Sequence, residues 1–166
     1  MSLRAASWSF EESDARRIDD LLNSFLLESH ARCALLVDRT GQLITIAGER
    51  PDFDSTAFAS LAAADFSAND QLASMIGEQE FSSLFHQGEK DSMYLADVAK
   101  RVILIVLFDD RATLGMIRIK VRSAVRELAE IFTQLFQRVA GERGGSRLES
   151  SWVDEAEDEI DRLFGS

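Results

Sequence analysis

VILIVLFDDRATLGMIRIKVRSAVRELAEIFTQLFQRV, residues 102–139, passes from a wholly apolar run straight into a long amphipathic one. Val102 to Phe108 carries no charge and no polar alternation, the pattern of a strand covered on both faces and so central in its sheet. After Asp109 and Asp110, read as a solvated turn and helix cap, Leu114, Ile117, Val121, Ala124, Leu128, Ile131 and Leu135 recur at steps of three and four. That spacing lines one face of a helix, which Val125, Phe132, Phe136 and Val139 widen. A stripe so broad predicts a helix packed over the strand before it, ending near Ala140.

Working outward, Cys33 to Val37 and Gln42 to Ala47 are β-branched apolar runs joined by Asp38-Arg39-Thr40-Gly41, where Gly41 suits a hairpin turn. Upstream, Ser9 with Glu12 fits a capping box, followed by the stripe Ile18, Leu21, Leu22, Phe25 and Leu26 of a first helix. Downstream, Pro51 breaks the strand pattern. Asp54 or Ser55 then caps an alanine-rich helix holding Phe58, Leu61, Ala62, Phe66, Leu72, Met75 and Ile76, stopped by Gly77. Phe81 to Gln87 reads as a weak edge strand and Ser92 to Val98 as a better one. The predicted order is α-β-β-α-β-β-β-α, an α+β domain over residues 9–140. Gly141 to about residue 151 reads as a flexible linker, and 152–166 as an acidic amphipathic helix.

With 166 residues, 46% apolar and 28% charged, the chain has the composition of one globular domain. A formal charge of −11 argues against nucleic acid and anionic membranes as partners. Residues 149–164 hold seven carboxylates against Arg162 alone, roughly half of that imbalance. Within them Trp152, Ala156, Ile160, Leu163 and Phe164 form one apolar stripe, the pattern of a segment that folds on a partner. The lone cysteine, Cys33, reads as a buried thiol, and the chain is expected in the cytoplasm.

Catalytic constellations are scarce. His30 and His86 are the only histidines and stand at no metal-ligand spacing from each other or from Cys33. No glycine-rich loop opens a helix after a strand, so neither a metal, a cofactor nor an enzymatic site is expected. Binding features are stronger. The second helix carries more small residues than one buried face needs, and an uncovered edge strand at Phe81, Leu84, Phe85 and His86 invites pairing with a second copy.

LLVDRTGQLI (35–44), FASLAAADFSA (58–68), IGEQEFSSLFHQGEKDSMYL (76–95), VILIVLFDDRATLGMIRI (102–119) and the tail DEAEDEIDRLFGS (154–166) together resemble the roadblock/dynein light chain domain family, and within it the bacterial MglB proteins, regulators of the Ras-like GTPase MglA. The resemblance implies a five-stranded antiparallel sheet with helices 1 and 3 on one face and helix 2 on the other. It implies a homodimer joined through the third strands, with paired second helices. Such a dimer would activate GTP hydrolysis by repositioning the GTPase's own residues, without an arginine finger, in bacterial cell polarity or motility. It would use its tail residues Trp152, Ile160, Leu163 and Phe164 to promote nucleotide exchange. The GTPase platform carried over is Ala63, Ala64, Ser67, Ala68 and Gln71, where Gln71 departs from the smaller residues of the family. Arg16, Arg17, Lys120, Arg122 and Arg126 are further candidates for meeting a partner or the tail. The alternatives are a non-catalytic scaffold of the same fold and a small-ligand sensor, the latter lacking a convergent polar set.

Overall fold

The computed structural model describes the backbone of residues 11–164 and the side chains of residues 11–141 and 162. Strands β1 (Cys33–Asp38), β2 (Leu43–Gly48), β3 (Ser83–Gln87), β4 (Ser92–Val98) and β5 (Val102–Phe108) form one antiparallel sheet in the order β2-β1-β5-β4-β3. The apolar run at 102–108 is therefore the middle strand, and six of its seven residues are buried. β3 is an edge, two residues shorter at its start than the sequence suggests, so Phe81 precedes it.

Strand alternation divides the core into two layers. Cys33, Leu35, Val37, Leu95, Ile103 and Ile105 point to one face, where they pack with Ala59, Ala62, Ala63 and Phe66 of α2 (Ser55–Met75). The opposite face, with Ala34, Leu36, Leu104 and Val106, is covered by α1 (Glu12–Ser29) and α3 (Leu114–Phe164). Ile18, Leu22 and Phe25 of α1 are buried, as are Ile117, Val121, Ala124, Leu128 and Ile131 of α3, the stripe expected from their spacing. At the core of the first face, burial pushes the Cys33 thiol up to about 11, so it stays protonated at neutral pH.

The caps correct two readings. The N-cap of α1 is Glu11, whose N–H donates to Asp14 Oδ2 at 3.3 Å, while Ser9 lies outside the described residues. Asp109 does not cap α3. It accepts from the Arg111 N–H at 3.0 Å to make the turn, and Thr113 Oγ1 accepts from the Met116 N–H at 3.2 Å. The helical span of α3 is Leu114–Phe164. The chain forms two compact units, residues 1–132 and 133–166.

The β1–β2 turn sets where α2 lies. Asp38, buried, accepts through Oδ1 from Thr40 N–H (2.9 Å), Thr40 Oγ1 (2.6 Å) and Gln42 N–H (3.1 Å). Gly41 has φ +96°, and a Cβ there would stand 3.1 Å from the Ser60 Cα. Its missing side chain lets α2 cross close over the hairpin.

Candidate functional site

α2 is apolar on both sides. Its N-cap Asp54 accepts through Oδ1 from the N–H groups of Thr56 (3.0 Å) and Ala57 (3.2 Å), fixing the start of the helix and its rotation over the sheet. Ala59, Ala62, Ala63, Phe66, Asn69 and Ala73 then face inward. The opposite side carries Ala57, Leu61, Ala64, Ala68, Leu72 and Met75 at steps of three and four, all exposed. Leu61 is 71% exposed, Leu72 58% and Met75 82%. Among the described residues nothing covers this contiguous apolar row, the kind of patch through which proteins associate.

Four of the five platform residues, Ala64, Ser67, Ala68 and Gln71, lie exposed on this helix. Ala63 does not: it is 6% exposed and belongs to the core against the sheet. A helix apolar all round gives no sequence signal for which alanine turns inward, so Ala63 and Ala64 look alike until the sheet is in place.

Two contacts hold this surface in register with the rest of the domain. At the sheet edge, His86 Nε2 lies 2.6 Å from Asp65 Oδ2, tying β3 to α2 on the same side of the sheet as Leu84. Phe85 points the other way, its ring 6.1 Å from Phe108 and 6.4 Å from Tyr94. The edge residues expected to pair thus divide between the two faces of β3. At the far end of the sheet, Arg39 leaves the β1–β2 turn and reaches under α2. Its guanidinium donates to Asp70 Oδ2 at 2.5 Å and to Asp97 on β4, and sits 4.8 Å from the centre of the Phe66 ring. Burial works against the Arg39 charge, but the two carboxylates outweigh it and hold its pKa above the ordinary value.

A second ionic cluster closes the other end of the strands. Arg32 meets Glu49 at 2.9 Å and Asp91 at 2.6 Å, and Arg111 meets Glu49 at 3.2 Å and Asp109 at 3.1 Å. Hydrogen bonds from Arg32 and Arg111 hold the Glu49 carboxyl below its usual range, and those from Arg111 do the same for Asp109. These groups are solvated and mutually neutralised, which suits a structural clasp rather than a reactive site.

Of the other basic candidates, Arg16 pairs with Glu12 at 3.0 Å and Lys120 with Glu28 at 3.1 Å. Arg17 and Lys120 line a groove of about 590 Å³ between α1 and α3, together with Asp20, Glu28, Glu127 and Glu130. The described residues contain no cluster of three or more histidine, cysteine or acidic side chains able to hold a metal, and no helix long and apolar enough to cross a membrane. The side chains of Trp152, Ile160, Leu163 and Phe164 lie outside the described residues.

The model of the Roadblock/LC7 domain matches residues 17–108, which take in most of α1, the whole sheet and α2. The structure of Myxococcus xanthus MglB superposes with a TM-score of 0.72 at 40% identity, covering 76% of this chain and 95% of that one. The chain belongs to the Roadblock/LC7 family, in its MglB branch. The gliding protein MglB of Thermus thermophilus is 29% identical with a TM-score of 0.71, over 76% of this chain and 96% of that one. A structure described as MglB with tetrameric arrangement is 28% identical with a TM-score of 0.73, over 79% and 98%. A Roadblock/LC7 domain from Streptomyces avermitilis, at 16% identity and a TM-score of 0.55, shares the fold. No curated protein matches the sequence.

Proposed function

We propose that two copies of this chain form a homodimer through the β3 edges and the outer faces of α2, and that this dimer activates GTP hydrolysis by an MglA-like Ras-family GTPase in the control of bacterial cell polarity or motility. The observation that carries the proposal is the uncovered apolar row of α2 in a chain of the MglB branch. Row and edge are contiguous, linked by His86 and Asp65, so one two-fold axis can bring both together.

The chemistry of that surface constrains the mechanism. α2 contains no lysine, arginine or histidine, and so offers no cation to a transferring phosphoryl group. An activator acting through such a face works by position: its small side chains, Ala64, Ser67 and Ala68, admit close backbone approach and hold the GTPase's own water and stabilising groups in line. Phosphoryl transfer gains most of its acceleration from such placement and preorganised charge. The chain is then a regulator without a catalytic site of its own.

Single-turnover phosphate release from an MglA-like GTPase loaded with GTP tests this directly. Adding the purified chain is expected to raise the rate by about 100-fold or more, the scale on which positioning acts. A stable complex with an unchanged rate identifies a scaffold instead. We further propose that the tail promotes nucleotide exchange. Trp152→Ala with Phe164→Ala is expected to slow release of a labelled nucleotide from the GTPase while leaving the mass of the free dimer unchanged. If the dimer falls apart, those residues serve assembly rather than exchange.

A further inference from the structure

The sheet face covered by α1 and α3 lies opposite α2, and α3 carries there a surface that GTPase activation does not use. From Arg111 to Arg126 the chain has five cations (Arg111, Arg118, Lys120, Arg122, Arg126) and no carboxylate, in a protein of net charge −11. Arg111 and Lys120 are paired within the fold. Arg118, Arg122 and Arg126 stand at i, i+4 and i+8 on α3, all exposed, and none forms an ion pair among the described residues. The next carboxylates of the helix, Glu127 and Glu130, line the α1 groove with Asp20 and Glu28. Acidic groove and basic row are thus kept apart on one helix.

Beside the arginines runs a second row with the same step of four: Gly115, Ile119 and Ser123, all exposed. Ile119 is 66% exposed, and Met116, one turn before it, is 40% exposed. Gly115 has no left-handed backbone to accommodate, and no atom lies within 4 Å of the position a Cβ would take. The fold therefore gives no reason for glycine where alanine would make the better helix. What the missing side chain does provide is a notch on the surface, one turn before Ile119.

We infer that this face of α3 docks an acidic amphipathic helix of a partner protein. Rows four residues apart are the ridges along which helices pack. A partner ridge with carboxylates at i, i+4 and i+8 repeats at the same step as Arg118, Arg122 and Arg126, about 6 Å per residue pair and about 12 Å in all. With the ridges aligned, each carboxylate meets one guanidinium, whose two parallel N–H donors suit it better than a lysine would. An aliphatic side chain of the partner enters the notch at Gly115 and covers Ile119. Charge and shape together select this occupant. A protein of net charge −11 repels the extended charge of an anionic membrane or a nucleic acid, whereas one helix confines its carboxylates to the row and adds the apolar contact. Residues 115–126 make the whole site, so it stands independently of any action on a GTPase and leaves α2 free.

Fluorescence anisotropy tests this with the intact chain and a labelled synthetic helix of about 18 residues, carrying glutamates at three positions four apart and leucines along the adjacent row. Binding is expected at about 50 mM salt and is expected to fade at about 0.5 M, where screening shortens to a few ångströms. A peptide with glutamine at the three positions should bind at least about tenfold more weakly. Arg118→Glu with Arg122→Glu and Arg126→Glu is expected to weaken binding of the acidic peptide by about tenfold or more, three attractions becoming three repulsions. Gly115→Gln, which changes no charge but fills the notch, is expected to weaken it by about fivefold or more. All four positions are exposed, so the circular dichroism of both variants should match that of the unaltered chain. No binding of the acidic peptide at low salt, or equal binding by the arginine variant, overturns the inference. Equal binding by Gly115→Gln overturns it too, since general charge attraction then suffices. So does tighter binding of the unaltered chain to phosphatidylglycerol vesicles or to a single-stranded oligonucleotide, which would assign the row to a membrane or a nucleic acid.

Discussion

Ala64→Arg combined with Ala68→Arg is expected to lower activation of the GTPase by about 100-fold while leaving the far-ultraviolet circular dichroism of the chain unchanged. Both alanines lie in the exposed row of α2, so in the free chain the arginines extend into water and the core is untouched. Substitutions of this kind change stability by about 0.5 kcal/mol or less. Within a contact the consequence differs. Each replacement inserts a long side chain where a methyl group stood and places a cation against an apolar row of Leu61, Leu72 and Met75. Burying an unpaired charge costs several kcal/mol, and about 2.7 kcal/mol already corresponds to a hundredfold in affinity. Phosphate release at increasing concentrations of the variant, with sedimentation in parallel, separates the two places where the loss can arise. If the dimer persists and activation is lost, the row meets the GTPase. If the dimer dissociates, it meets the second copy. Full activation by the variant moves the functional surface off α2.

How much of this was legible beforehand follows from which forces act locally. Val102 to Phe108 and Ser92 to Val98 occupy the ranges their apolar patterns predict, because a run buried on both faces has one stable setting in a sheet. The inward stripe of α3 was equally plain, since one side of that helix is charged and the other is not. α2 resisted the same reading. With Leu61, Leu72 and Met75 outward and Phe66 inward, its apolar residues surround the axis, and only the sheet decides that Ala63 is core and Ala64 surface. The ionic anchors were hidden for another reason. Arg39 and Asp97 are 58 residues apart, and Arg32 and Asp91 59. Such partners meet only when strand order and register are set, information that no short window of sequence contains. Local competition explains the shifted cap of α1, where Ser9, Glu11 and Glu12 all precede an apolar stripe. Each has an acceptor, and the described helix uses Glu11 with Asp14.

The anchor of α2 gives the largest expected effect on stability. Arg39→Ala is expected to destabilise the chain by about 2 to 3 kcal/mol, read from the midpoint of urea unfolding. The Arg39 side chain is 26% exposed, with Asp70 at 28% and Asp97 at 16%, so the cluster is shielded enough for its charges to matter. Removing the guanidinium leaves two part-buried carboxylates without their cation and takes away the contact over the Phe66 ring. Breaking a buried pair from one side costs about 3 to 5 kcal/mol when it is fully enclosed, and the residual exposure here lowers that figure. Favourable pairing is not the same as a large net gain, however. Arg39 Nε, Asn69 Nδ2 and Asp70 Oδ1 are buried with no hydrogen-bond partner among the described residues, so the cluster carries desolvation that it does not recover. Arg39→Met together with Asp70→Asn and Asp97→Asn should therefore be less damaging than Arg39→Ala alone, recovering at least half of the loss. If the triple variant is the weaker one, the network stabilises the domain outright and its unpaired atoms cost little. The two variants also separate anchoring from charge in function. Asp70 lies one residue before Gln71 on α2, so a neutral cluster that keeps the helix seated should preserve GTPase activation, whereas Arg39→Ala should reduce it in proportion to how far the helix loosens.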